Sequence, residues 1–425
     1  RHLRIRTIMQ ANPAPLQQPD RQSLSVDDAQ KAILDSIAPI KGWCSVSVRT
    51  ALGRVLADDV IAPFNVPAHD NSAMDGYAMR AADLLADSEA RLAVVGTALA
   101  GVPFSGLIGK GQAVRVMTGA VLPRGADCVV VQEITRTENS EVIIPAGQRS
   151  GQNIRRAGED LAQGAVALPS GKRLGPAELG LIASLGIAEV KVRRRLRVAF
   201  FSTGDEIASI GSPLAPGQIY DSNRYILFGV LSHLDCELLD MGVIPDQPAA
   251  LEKALVDAAA SADVILTSGG VSVGEADFIK ALLQKLGDVA FWKINIKPGR
   301  PMAFGKIGTT LLFGLPGNPV AVMVTYYQFV LDALLKLMGV APLPERPLLE
   351  AECTGHIRKQ PGRREFIRAS LHRSEGGWKV EPTGAQGSGV LRSMSEANCF
   401  IVLPESSANV APGSAVQVQL FEGFS

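Results

Sequence analysis

Residues 267–277 read Thr267-Ser-Gly-Gly-Val-Ser-Val-Gly-Glu-Ala-Asp277, and this stretch decides the fold. The apolar β-run Asp263-Val-Ile-Leu266 precedes it, and a helical pattern over 278–286 follows. A strand, a glycine-rich turn and a helix start in succession make a site for an anion. Backbone N–H groups are left free, glycines allow close approach, and the helix dipole favours negative charge. Glu275 and Asp277 close the loop and would repel a bare phosphate. A divalent cation between protein and anion resolves that conflict. The alternative is a plain structural turn, against which the two acids weigh.

Working outward, the same strand-to-helix period recurs. From Leu196 the chain alternates strand 197–201, helix 224–234, strand 237–243, helix 249–260 and strand 264–267. Such alternation implies parallel β-α-β units and a three-layer α/β/α sandwich. Ligands of such sheets bind beyond the carboxyl ends of the strands. Thr203-Gly-Asp-Glu206, Asp246 and the 267–277 loop all fall there. Gly314-Leu-Pro-Gly-Asn-Pro319 lies between another β-run and another helix, and Lys297-Pro-Gly-Arg300 sets two cations about a tight turn. Each segment alone is equally an ordinary turn. Together on one sheet edge they supply the fixed cations, carboxylates and backbone donors that phosphate and metal chemistry needs.

The flanks are different. Ser25 is an N-cap for a helix over 26–38, stopped by Pro39, and the following segment to about residue 62 reads as helical. Short β-runs divided by Gly and Pro then occupy 63–156, which reads as a β-rich domain. A further helix over 176–185 returns to the character of the chain's start, so the β-rich domain reads as an insertion. Four units are expected: a mixed helical linker domain at 23–62 and 157–195, the insertion at 63–156, the α/β domain at 196–345, and a small β-barrel-like domain at 346–425. Within the insertion, Asp70-Asn-Ser-Ala-Met-Asp-Gly-Tyr77 is a dense polar run before a helix-like 78–85. Turn chemistry explains its Asp, Asn and Gly better than Met74 and Tyr77 beside Asp75. Met117-Thr-Gly-Ala120 and the stretch from Gly151 to Asp160 complete this second set.

Composition bounds the rest. At 425 residues the chain is too long for one core. Lys plus Arg and Asp plus Glu are both 42, so no global charge argues for nucleic acid. Five scattered cysteines without a CxxC pair read as reduced cytosolic thiols, and dispersed histidines argue against zinc. Any metal is therefore expected on oxygen ligands. The apolar stretch 320–340 carries Gln328, Asp332 and Lys336, and reads as a buried helix rather than a membrane span. Residues 1–21 show no apolar targeting core; Met9 is read as the native start, with eight extraneous residues before it.

Eight motifs in order carry a resemblance: DNSAMDGYA (70–78), MTGA (117–120), SGQNIRRAGED (150–160), STGDE (202–206), QIYDSN (218–223), TSGGVSVGEADF (267–278), KPGRP (297–301) and GLPGNPV (314–320). On these the chain resembles the molybdopterin molybdotransferase family, called MoeA in bacteria and the C-terminal domain of gephyrin in animals. The match runs from about residue 25 to the C-terminus. The resemblance implies an enzyme that inserts molybdate into adenylylated molybdopterin, cleaves the pyrophosphate link and releases AMP with the help of Mg²⁺. It implies Glu206 and Asp277 as metal ligands, and Lys293, Lys297 and Arg300 stabilising the pyrophosphate's developing charge and attracting molybdate. Asp75, Thr118, Arg155, Asp160 and Asp246 would line the rest of the cleft. The glycine-rich loop, with Ser268, Gly269, Gly270, Ser272 and Gly274, would hold the phosphate, and Pro316, Gly317, Asn318 and Pro319 would shape the pocket. Arg368 and Ser388 fall in segments resembling oxyanion contacts.

The resemblance further implies a cytoplasmic homodimer whose cleft mixes domains of two subunits, so that Asp75 and Asp277 meet across the boundary. A separate molybdopterin adenylyltransferase would supply the substrate, and molybdoenzyme maturation factors would accept the product. No nucleic-acid or membrane partner is expected. Two rivals stand beside this reading. One is the adenylyltransferase itself, which has a similar SGG loop but would carry neither DNSAMDGYA nor the C-terminal domain. The other is a non-catalytic carrier or scaffold. Molybdate and tungstate are not separable from residues alone.

Overall fold

The structure, a computed structural model, describes residues 23–269 and 277–421, with Asp277 and Phe278 described through their backbone. A six-stranded sheet forms its centre, in the order 237–244, 197–203, 264–268, 310–315, 301–307, 288–293. The first four strands are parallel, 301–307 runs antiparallel to 310–315, and 288–293 pairs antiparallel with 301–307. Strand Val264–Ser268 is buried throughout, as a strand covered on both faces must be. Helices Pro248–Ser261 and Asp277–Leu286 cover one face, packing Leu251, Leu255, Leu282 and Leu283 on Phe201 and Ile265. Helix Asn223–Ser232 and the long helix from Pro319 cover the other, packing on Phe200, Leu266 and Phe313. This is the expected three-layer domain. From strand 197–203 the chain turns to one side of the sheet, and from 264–268 to the other. The crevice between their carboxyl ends is therefore the topological switch point, where such sheets bind ligands.

The helical stretch Pro319–Leu337 is long and apolar enough to span a membrane, but 72% of its apolar window is buried within the fold. It is a core helix, as the sequence indicates. A π-turn at Tyr326–Val330 interrupts it. Helix Val26–Asp35 is capped by Ser25, whose hydroxyl accepts from the Asp28 N–H at 3.0 Å. Its buried Val26, Ala29 and Ile33 join the α/β core, not the neighbouring N-terminal strands.

Two helical expectations are corrected. The segment after residue 42 holds strand Trp43–Ser47, one 3₁₀ turn and strand Val60–Ile61. Residues 78–85 hold the end of strand Gly76–Met79 and a 3₁₀ turn at Ala81–Asp83. That strand is central, flanked by 112–116 and 128–131. All four of its residues are buried, so it lacks the alternation that marks a strand in sequence.

The insertion shows in nested antiparallel pairs. Strand 43–47 pairs with 189–193, 60–61 with 166–168, and 71–72 with 154–155. Chain leaving and chain returning thus run side by side as far as the six-stranded sheet of the β-rich domain. At the C-terminus five strands close into a barrel: 364–374 pairs with both 377–382 and 399–403, and 349–353 and 415–420 complete the circuit. The short strand Ile296–Lys297 of the α/β domain adds to this barrel, in parallel with Arg364 and Glu365.

Candidate active site

The glycine-rich loop begins where strand 264–268 ends. Gly269 has φ 93°, a conformation L side chains rarely adopt, and an added Cβ would strike the Thr203 carbonyl. The two strand ends can lie this close because glycine stands there. Gly270, Ser272, Gly274 and Glu275 lie outside the described residues, as does the Asp277 side chain. Beside the loop, the Thr203 hydroxyl donates to Asp246, whose own N–H donates to the Asp205 carboxylate at 3.3 Å. Glu206 is exposed on the same edge. Among the described residues no group of three or more His, Cys, Asp or Glu side chains is placed to hold a metal. The described contribution to such a site is the hard oxygen of Glu206.

One residue that sequence reasoning missed connects this loop to the next. Asn223 opens helix Asn223–Ser232 and is buried. Its amide nitrogen donates to the Ser268 hydroxyl and to the Gly317 carbonyl, both at 2.6 Å. Its amide oxygen is buried without a partner among the described residues. Asp221 supports it from below, accepting from Ser202 Oγ at 2.9 Å and from Arg224 Nε at 3.1 Å. The motif QIYDSN was visible in the sequence, but nothing local says that its Asn spans two other loops.

Next to this edge a cavity of about 620 Å³ opens between the α/β domain and the C-terminal barrel. The α/β domain lines it with Lys297, Pro316, Gly317 and Asn318, and the barrel with Ser388, Glu365, Arg358 and Arg363. The Asn318 amide donates to Ser388 Oγ at 2.9 Å, and Val320 N–H to the Ser388 carbonyl at 3.1 Å. A barrel loop thus satisfies a free N–H at the start of the Pro319 helix. Gly299, with φ 100°, presses against Thr325; a Cβ there would stand 2.7 Å from Thr325 Cγ2. Lys297 Nζ donates to the Glu365 carboxylate at 3.1 Å. Lys293 and Arg300 are exposed at the turn and do not line the cavity; Arg300 Nη2 donates to Ser23 Oγ at 3.3 Å.

Arg368 sits behind the cavity wall, between Ile367 and the 385–387 loop, and is 0% exposed. Its Nη2 donates to the carbonyls of Ala385 at 2.8 Å and Gly387 at 3.2 Å. Its Nε and Nη1 are buried with no partner among the described residues. Burial lowers its pKa, and no carboxylate pairs with it among the described residues. A buried cation with two unused donors is costly unless an anion completes it.

In the β-rich domain, Asp75 accepts from the Thr118 N–H at 2.7 Å and from its hydroxyl at 2.8 Å. The backbone donor first and the hydroxyl second hold the Asp75 carboxyl below its ordinary range. Arg155 is exposed on the short strand that pairs with Asn71 and Ser72, and Asp160 is exposed nearby in sequence. No hydrogen bond or ion pair among the described residues joins these four to the α/β domain or the barrel. The fold of one chain leaves two sets of candidate residues.

Comparison with known proteins decides the family. Residues 24–186 match the MoeA N-terminal region (domain I and II), 199–336 a probable molybdopterin binding domain, and 350–421 the MoeA C-terminal region (domain IV). The chain is 44% identical over 400 residues to a molybdopterin molybdenumtransferase of Haemophilus influenzae, covering 94% of this chain and 98% of that one. The chain belongs to the MoeA family. A MoeA-family molybdopterin molybdenumtransferase of Nostoc is 36% identical, over 88% of this chain and 87% of that one. Among solved structures, a MoeA protein of Pyrococcus horikoshii superposes with a TM-score of 0.80 at 30% identity, covering 94% of this chain and all of that one.

Proposed function

We propose that this chain is the molybdopterin molybdenumtransferase of molybdenum cofactor biosynthesis. It inserts molybdate into adenylylated molybdopterin; the pyrophosphate link is cleaved and AMP leaves. Arg368 carries this reading: a fully buried guanidinium with two free donors behind a cavity shared by Lys297, Asn318 and Ser388. Such a site suits a small tetrahedral oxyanion. The glycine-rich sequence that follows the strand at the switch point suits the phosphate end of the substrate. Asn223 ties the two together, so that oxyanion and phosphate are held in one frame. Positioning of this kind supplies much of the barrier reduction in transfer reactions.

Glu206 and Asp277 would hold Mg²⁺, whose charge screens the pyrophosphate oxygens when it is bound. The exposed carboxylate at Glu206 fits a hard cation. The protein acts as a homodimer in the cytoplasm, with Asp75, Thr118, Arg155 and Asp160 of one subunit completing the cleft of the other. Two observations support this reading. Among the described residues, no hydrogen bond or ion pair joins these four to the α/β domain of their own chain. Ile210, Ile219, Tyr225 and Phe228 are also 44 to 57% exposed on the α/β domain, along the 207–220 turn and the helix that follows. A separate adenylyltransferase delivers the substrate, and maturation factors of molybdoenzymes accept the product.

The test is AMP release from adenylylated molybdopterin, with and without molybdate and Mg²⁺, beside an Asp277→Ala variant. Molybdate-dependent release that the variant loses is the expected result. Substrate retained without release under every condition would replace the enzyme with a carrier.

A further inference from the structure

Glu365 is only 3% exposed, yet it stands on the wall of the cavity just described. Its one hydrogen-bond partner among the described residues is Lys297, at 3.1 Å, and the Lys297 side chain is 46% exposed. The strand pairing that adds Ile296–Lys297 to the barrel sets Lys297 directly beside Glu365. This ladder and ion pair join the two domains beside the bonds that Asn318 and Val320 make to Ser388. A carboxylate this buried cannot give up its one hydrogen bond among the described residues without a large desolvation cost, even with the Lys359 charge nearby. An oxyanion entering the cavity therefore cannot pull Lys297 away. It must share the ammonium, which has three donors, one of them committed to Glu365.

The charge count follows. Lys297 and Glu365 together are neutral, so the attraction left for an anion comes from the exposed Arg358 and Arg363 on the cavity wall and from two buried cations outside its lining, Arg368 and Lys359, the latter near enough to feel the Glu365 charge. A cavity holding molybdate too tightly would trap it and slow transfer, since binding that is equal before and during reaction does not speed the step. We propose that Glu365 is a positioning residue for the transfer reaction: it fixes Lys297 and offsets its charge, so that the oxyanion is held loosely enough to be handed on. This rests on the reading of the cavity as the molybdate site.

The experiment is equilibrium binding of molybdate to the purified full chain at low ionic strength, with steady-state AMP release alongside. Glu365→Gln keeps an acceptor for Lys297 and removes the counter-charge. It should tighten molybdate binding about tenfold and lower the molybdate KM, with kcat falling. Glu365→Asp keeps the charge but withdraws it by one methylene, and should weaken binding a few-fold. Opposite signs mark an electrostatic role, because a merely structural residue would weaken binding in both variants. Weakening in both, or unchanged binding in Glu365→Gln, overturns the proposal. Should Glu365→Gln not fold, tighter binding in Glu365→Asp overturns it equally. Lys297→Gln separates the two levels. If it binds molybdate as wild type does, the cavity reading fails and the proposal with it. If it weakens binding while Glu365→Gln changes nothing, only the role of Glu365 falls.

Discussion

Replacing Arg368 with Met should cost the enzyme its molybdate affinity while leaving its stability almost unchanged. The side chain makes two hydrogen bonds, to the carbonyls of Ala385 and Gly387. Bonds from a charged donor contribute roughly 1.5 to 3 kcal/mol each, so about 3 to 6 kcal/mol would be lost. Against this stands a guanidinium with no exposed area and, among the described residues, no carboxylate partner and two buried donors unused. Relieving an uncompensated buried charge returns several kcal/mol, and neutral replacements of buried ions are often neutral or stabilising. Met is unbranched and fills most of the space, leaving a void whose cost is below about 1 kcal/mol. The opposing contributions nearly cancel, and the net change should lie within about 2 kcal/mol of zero, a midpoint shift of a few °C at most.

The assay pairs thermal unfolding of the variant with molybdate titration of AMP release. The expected outcome is a near-native midpoint with half-saturation moved at least tenfold higher. A midpoint lowered by roughly 10 °C with unchanged half-saturation would refute the argument. It would make Arg368 a strut for the 385–387 loop and leave the cavity without its strongest anion donor.

Three further outcomes are expected. Asn223→Ala removes two buried bonds of 2.6 Å and should destabilise the chain by about 2 to 3 kcal/mol. Faster amide hydrogen exchange over residues 317–320, with a lower kcat, would report the loss of the tie between the loops. Thr118→Val leaves the backbone donor to Asp75 but deletes the hydroxyl. The Asp75 carboxyl should then titrate higher by NMR, though still below its ordinary value. Because its folded pKa is depressed, the carboxylate adds stability above its unfolded pKa of about 3.9, and this is lost as pH falls through the folded value. The variant's deficit should therefore be full at pH 7 and vanish once Asp75 is protonated in both states. Finally, burial pushes the thiols of Cys128, Cys236 and Cys399 up to about 11, 12 and 12. Alkylation at pH 8, followed by mass spectrometry, should label half-buried Cys44 well before these three.

Much of the fold is legible in the residues because it rests on local rules. The alternation from Leu196 to Thr267 predicts the parallel sheet, and the glycine turns predict where its ligand edge lies. Ser25 predicts a helix start, and the acids and cations around 203–206 and 297–300 mark the chemistry. Periodicity fails at Gly76–Met79, since a strand buried on both faces has no polar side to show. Trp43–Ser47 does alternate, with Cys44 and Val46 turned inward, but five residues are a short signal and the partner strand lies 142 or more residues away along the chain.

The site divides in the same way. Residue types that bind phosphate or metal announce themselves at turns, so most of the α/β candidates could be named from sequence. What Asn223, Glu365 and Arg368 do could not. Asn223 acts by spanning two loops brought together by a sheet, and Glu365 by a ladder between two domains. Arg368 is marked in sequence by the resemblance of its segment, but only burial shows two of its donors without partners among the described residues. The sequence by itself determined the family and the layer order of the α/β domain. Only the tertiary structure decided which charges are paired, which are left open and which wall each one lines. Local pattern fixes what a segment can be, whereas pairing and desolvation depend on neighbours that only folding supplies.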